Sequence, residues 1–236
     1  AADKAYRAEI TLGVTTDTLD AEGRVASRRS AAAVSEADLR EVLAGLTGTI
    51  EMRPPAHSAI SVGGRRLYEL ARAGETVEAP LRQVTIHALR LLEFAPGETA
   101  TALVDVVCSK GTYVRSLAAM VGERLGCGAC LTMLLRTRVG SHTLERAVTF
   151  EELAEDPARH VIPMAEALPD VPRVQVDEAT AQALRQGRTM PGAGEPPAGR
   201  ALVVDEAGEV VCLAEVVHER GASLQPRKVF PAGRGR

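Results

Sequence analysis

Between Ala5 and Leu12 the residues Tyr6, Ala8, Ile10 and Leu12 alternate with Arg7, Glu9 and Thr11. A period of two places the first set on one face of a β-strand. A polar turn follows from Thr16 to Gly23. Ser35, with Asp38 three residues later, has the capping-box form, and the helix it predicts carries Leu39, Val42, Leu43 and Leu46 on one side before Gly48 ends it. Pro54-Pro55 opens a loop of small residues, and a short helix is predicted from Leu67, with Leu70 and Ala71 beneath and Gly74 at its end.

Two β-rich runs, Val84 to Phe94 and Thr101 to Cys108, are separated by Pro96-Gly97-Glu98 as in a hairpin. After the turn Ser109-Lys110-Gly111, Val114, Leu117, Val121 and Leu125 keep helical spacing, with Gly126 at the terminating position. Tyr113 and Arg115 therefore stand at a helix entrance. Thr149 with Glu152 predicts another capped helix, and Pro163 to Pro172 has the composition of a linker. From Val174 the pattern restarts: Asp177 caps a helix containing Ala181 and Leu184, a Pro/Gly-rich stretch runs from Pro191 to Gly199, and Ala201–Val204 and Val210–Val217 form a predicted hairpin. A helix and a few strands in this span make a small barrel-like appendage. No internal repeat is visible.

The chain has 236 residues, 45% hydrophobic and 25% charged, which excludes disorder, collagen and a simple coiled coil. At roughly 150 residues per domain this is one large domain, or one with a small appendage. No apolar run reaches the roughly 18 residues of a membrane helix. The opening residues, with Asp3, Lys4, Arg7 and Glu9, do not resemble a secretory signal, so a cytoplasmic protein is expected. The net charge of −3 conceals a gradient. Residues 108–148 carry six bases against two acids, a local +4, and residues 149–236 carry ten against fourteen, a local −4. A basic middle suits a polyanion, although an unevenly charged solvated surface accounts for it equally well.

Four cysteines are too few and too scattered for a disulfide framework. Cys127 and Cys130 have redox or zinc-like spacing, but no second pair stands at ligand distance, so structural thiols are expected. The five histidines share no motif spacing. Gly63-Gly64-Arg65-Arg66 and Lys110-Gly111-Thr112 complete no Walker pattern. Asp17, Asp20 and Glu22 form an acidic turn, best read as Asp side chains bonding their own backbone. Arg115 beside Tyr113 can orient a carboxylate bidentately, and a surface salt bridge is the equally weighted alternative.

Several blocks in order resemble the bacterial tRNA pseudouridine synthase B (TruB) family. They are Lys4-Ala5-Tyr6; Thr16-Asp17-Thr18-Leu19-Asp20-Ala21-Glu22-Gly23; Pro55-Ala56-His57-Ser58-Ala59 with Leu67 to Gly74; Cys108 to Leu117; and Leu125-Gly126-Cys127-Gly128-Ala129 on to Leu134-Leu135-Arg136-Thr137. The resemblance implies an α+β fold. A pseudouridine-synthase catalytic domain built round an antiparallel sheet would span residues 1–168, and a small β-rich, PUA-like RNA-binding domain would span 173–236. It implies isomerisation of the T-loop uridine (position 55) of tRNA without metal or cofactor, with the tRNA T-stem loop as partner, no obligate protein partner and a monomeric state.

By the same resemblance Tyr6 is the tyrosine that stacks on the flipped base and assists proton removal. Tyr113 and Leu134 line the uridine pocket, and Arg115 pairs with the catalytic aspartate. These roles are physically coherent, because a base taken out of its stack needs an aromatic face and a nucleophilic carboxylate in a dry pocket needs a fixed cation. Two departures stand out in the loop, His57 in place of an aromatic Tyr and Ser61 in place of Lys. The family's nucleophilic aspartate lies in a G-x-L-D-P-x-A-T-G block upstream of the K-x-Y strand, and these residues contain no such block. Asp20 already matches the TDT-x-D turn. The chain is therefore expected to begin inside its catalytic domain, to be silent alone, to leave Arg115 without its natural carboxylate and to expose an unpaired sheet edge. The alternative expectation is a non-catalytic tRNA-binding protein that keeps the fold.

Overall fold

The computed structural model describes residues 2–56, 58, 61–62, 65–66, 79–192, 194, 196–219 and 221–231. The short helix expected from Leu67 lies outside them, as does His57. The fold is mixed α+β and divides into two compact units, Ala1–Ala147 and Val148–Arg236.

The strands of the first unit are β1 (Lys4–Leu12), β2 (Val14–Thr16), β3 (Val25–Arg28), β4 (Gly48–Met52), β5 (Ser61–Val62), β6 (Arg65–Arg66), β7 (Arg82–Ala95), β8 (Thr101–Cys108), β9 (Ala129–Val139) and β10 (His142–Thr143). Its helices among the described residues are α1 (Glu36–Gly45) and α2 (Val114–Arg124). Six of the strands form one antiparallel sheet in the order β10-β9-β1-β8-β7-β4. Alternation in β1 and β8 does what the sequence predicts: Ala8, Ile10, Leu12, Ala102, Val104, Val106 and Cys108 are buried on a shared face. Both helices cover that face. The Ser35–Asp38 capping box starts α1, and Leu39 and Leu43 seat it in the core. Val114, Leu117, Ala118 and Val121 do the same for α2.

Close approach of α2 to β9 depends on Gly122. A Cβ built there would lie 2.1 Å from Ala129 N and 2.2 Å from Gly128 C, which is backbone and cannot yield by a rotamer change. β9 itself is absent from the elements the apolar pattern predicts. Its register against β1 shifts twice, between Ala5 and Tyr6 and between Glu9 and Ile10, so its apolar residues do not keep a period of two.

The second unit contains α3 (Phe150–Glu155), β11 (Arg173–Gln175), α4 (Glu178–Arg185), β12 (Met190–Pro191), β13 (Gly199–Val204), β14 (Val210–His218) and β15 (Ala222–Val229). Its five-stranded sheet has the order β11-β13-β14-β15-β12, with β11 parallel to β13 and the other pairs antiparallel. Leu184 and Ala181 of α4 pack on Ala201, Val203, Val211, Ala214 and Leu224. The β13–β14 turn is tied down by the buried Asp205. One of its oxygens accepts from Ala207 and Glu209 amides at 3.1 and 2.9 Å, and the other accepts from Arg185 at 2.9 Å. Burial pushes the Cys212 thiol up to about 11, so this core cysteine remains a thiol at neutral pH.

Residues 148–172 group with the second unit, whereas the resemblance assigns residues up to 168 to the catalytic domain. The contacts responsible are Met164, Ala165 and Val171 against Leu202, Val204 and Val210, and Arg173 donating to the Ala165 carbonyl at 2.6 Å. Periodicity gives no sign of them.

Candidate functional site

The acidic turn Thr16–Gly23 is a built structure. Asp17 accepts from the Arg24 amide at 2.8 Å, which is the self-capping expected of a turn. The Thr16 hydroxyl donates to the Asp20 carbonyl at 2.7 Å, and the Thr18 hydroxyl donates to the Asp20 carboxylate at 2.6 Å. A Cβ at Gly23 would come within 2.2 Å of Thr18 Oγ1 and 2.5 Å of Asp17 Oδ1. The turn is also stitched to β9: Leu131 donates its amide to the Leu19 carbonyl at 3.0 Å, and Ala21 donates to the Leu131 carbonyl at 2.9 Å. Leu19, between these anchors, has φ +65°, the left-handed value that no other non-glycine takes among the described residues.

This stitching brings Asp20 to the first turn of α2. Arg115 Nη1 donates to Asp20 Oδ2 at 2.9 Å and to the Thr18 carbonyl at 3.3 Å. Both side chains are about three-quarters buried, at 25% and 22% exposure, so this is not a solvated surface pair. Burial pushes the Asp20 carboxyl up. The Thr18 hydroxyl, the Arg115 guanidinium and the Glu22 amide outweigh it, and the group lies below the ordinary carboxylate range. Arg115 is thus not left without a carboxylate. That partner is Asp20, 95 residues away in the chain, a distance over which local spacing carries no signal.

Asp20, Glu22, Arg115, Thr132 and Leu134 line one cavity of about 280 Å³. Leu134 is 46% exposed at its edge. Tyr6 is outside that lining but on the same sheet face, because Ala8 opposes Leu134 and Tyr6 opposes Arg136 in the β1–β9 ladder. Tyr6 is half-buried against the core. Burial and the neighbouring Cys108 push its phenol above the usual value, and the Arg136 guanidinium pulls the other way. Tyr113 caps the start of α2, where its amide donates to the buried Met52 Sδ at 3.4 Å. One turn in, Ser116 donates to the Arg53 carbonyl at 2.8 Å. The entrance of α2 is therefore pinned to the end of β4.

Cys127 and Cys130 are buried at 4% and 3% exposure, and burial pushes Cys130 up, which disfavours the thiolate that redox exchange or zinc ligation needs. Among the described residues no group of three or more His, Cys, Asp or Glu is arranged to hold a metal ion.

Residues 1–114 match the model of the TruB family pseudouridylate synthase N-terminal domain, and residues 115–169 match that of the tRNA pseudouridylate synthase B C-terminal domain. The chain belongs to the TruB family. A relative named tRNA pseudouridine synthase B from Symbiobacterium thermophilum is 51% identical over 185 residues, which are 78% of this chain and 62% of that protein. One of the same name from Bacillus cereus is 39% identical over 236 residues, 96% of this chain and 77% of that protein. The TruB chain thus spans 62% of one of these curated relatives and 77% of the other. Among solved structures, a Cbf5-Nop10-Gar1 complex superposes with TM-score 0.67 at 22% identity over 97% of this chain and 67% of that chain. An H/ACA RNP bound to a substrate RNA containing 2′-deoxyuridine gives TM-score 0.68 at 21% identity over 98% and 67%. At this identity they attest to the fold.

Proposed function

We propose that this TruB chain carries most of the catalytic domain of a tRNA pseudouridine synthase and that its target is the uridine of the T-loop. The observation that carries this is the Arg115–Asp20 pair at 2.9 Å beside Leu134, with Tyr6 on the same sheet face, in a chain of that family. A half-buried tyrosine, an apolar edge and a fixed cation are what a base removed from its stack requires. In this scheme Tyr6 stacks on the extruded base, Tyr113 and Leu134 line its pocket, and Arg115 orients the nucleophilic carboxylate. The N1–C1′ bond of uridine breaks, a C5–C1′ bond forms, the C5 hydrogen leaves as a proton, and the freed N1 takes up a proton, so the product is an isomer of the substrate. No metal or cofactor enters this balance. We further place the chain in the cytoplasm as a monomer, with residues 173–236 as a PUA-like RNA-binding domain. No helix among the described residues is long and apolar enough to cross a membrane.

The nucleophilic aspartate that the resemblance implies belongs to the G-x-L-D block, which these 236 residues lack. They are therefore expected to bind without turnover. Release of tritium from C5-labelled uridine in tRNA by this polypeptide alone would reassign the nucleophile to a carboxylate within it, with Asp20 the first to mutate. Binding is the direct test of the substrate. A T-stem loop lacking the target base should bind more weakly than the intact one by about 1–3 kcal/mol, the worth of one base on an aromatic face. Tyr6→Ala should abolish that difference. Equal binding of an unrelated hairpin would overturn the proposal.

A further inference from the structure

Tyr6 and Arg136 face each other directly across the β1–β9 ladder, beside the register shift between Ala5 and Tyr6. Opposed residues of an antiparallel pair share a face, with Cβ atoms about 5 Å apart, within the length of an arginine side chain. A guanidinium only donates. A phenol oxygen can accept while its own proton points elsewhere. We infer that Arg136 is a positioning residue for Tyr6: from the neighbouring strand it donates to the phenol oxygen, holds the ring in place and turns the hydroxyl proton toward the open side of the face. The inference rests on the assignment of Tyr6 to the site and names a residue through which that site is tuned.

Three features of the surroundings support it. Arg136 is solvent-exposed on β9 and makes no ion pair among the described residues, so no carboxylate competes for it. The nearby Arg138 is engaged elsewhere, donating to the Gly140 carbonyl at 2.9 Å. Arg115, on the helix packed over this face, is held by Asp20. The groups that bear on the phenol are therefore Cys108 on β8, which opposes its ionisation, and Arg136 on β9, which favours it. The consequence is a tyrosine whose phenol gives up its proton more readily than burial alone allows.

The experiment needs no RNA, so it can fail or succeed independently of the T-stem-loop test. The chain contains three tyrosines. With [13Cζ]-tyrosine in the 236-residue protein, the Tyr6 signal is assigned by its loss in Tyr6→Phe and followed against pH. Arg136→Met, which keeps the apolar stem, should move the Tyr6 midpoint upward. Arg136→Lys should fall between that variant and the wild type, and Arg138→Met should leave the midpoint in place. At neutral pH the Arg136 guanidinium protons should be protected from solvent exchange in the wild type and lose that protection in Tyr6→Phe. An Arg136→Met midpoint that is unchanged or lower, an equal shift in Arg138→Met, or protection that survives in Tyr6→Phe overturns the inference.

Discussion

Asp20 has two separate duties. One oxygen organises its own turn, through the Thr18 hydroxyl and Glu22 amide, and the other meets Arg115. Asn keeps the shape and loses the charge, so Asp20→Asn should lower stability by about 1–2 kcal/mol, at the lower end for hydrogen bonds to charged groups because the pair is partly exposed. The pH dependence has a definite sign. A carboxyl whose folded value is depressed contributes stability above its unfolded value, near 3.8, and loses it as pH falls through the lower folded value. Denaturant midpoints of wild type and Asp20→Asn should therefore differ by a constant amount from pH 5 to 8 and converge below about pH 4. Convergence on the alkaline side would mean that another group controls the pair. The same residue shows the limit of sequence reading: an Asp in a polar turn looks self-sufficient, and only a contact 95 positions away gives its second oxygen a purpose.

Among the elements, what could be read from the chain was what kept its period. β8 alternates without interruption along Thr101–Cys108, and β1 does so from Arg7 onward. α1 and α2 declare their apolar sides and their ends. β9 has Met133, Leu134 and Leu135 exposed in succession and two register shifts, so its period is broken where the candidate site requires side chains to be turned outward. Irregularity at that strand is the same fact as the presence of Leu134 at a cavity edge. The α2–β9 contact is correspondingly intolerant. Gly122→Ala places a methyl on backbone atoms at 2.1 Å and should destabilise the first unit by about 1–3 kcal/mol, the usual cost of overpacking. Because α2 carries Arg115, the same variant should weaken T-stem-loop binding even at temperatures where it remains folded. Undiminished binding would show that Arg115 does not depend on this contact.

At the scale of the whole molecule, the two units have separate cores, one around Leu117 and Ile10 and the other around Leu184 and Leu224. Truncating a fully buried leucine costs about 2–5 kcal/mol. Leu184→Ala should accordingly raise amide hydrogen exchange in β13–β15 and leave β1 and β8 as protected as before, whereas Leu117→Ala should do the reverse. Exchange that rises everywhere in either variant would mean that the chain unfolds as one cooperative body. The apolar pattern gives no sign of the part that Met164, Ala165 and Val171 play, because they are scattered among prolines and acquire meaning only against Leu202, Val204 and Val210.

The register of the main sheet also sets a timetable. β1 is made long before either of its neighbours: Tyr6 pairs with Val106 on one side and Arg136 on the other. At translation rates of roughly 5–20 residues per second, about 5–25 seconds pass between the synthesis of β1 and the arrival of its partners. During that interval a strand with an apolar face is present with neither edge satisfied. Tyr6 travels on that segment, so the candidate site cannot assemble until β9 closes the ladder.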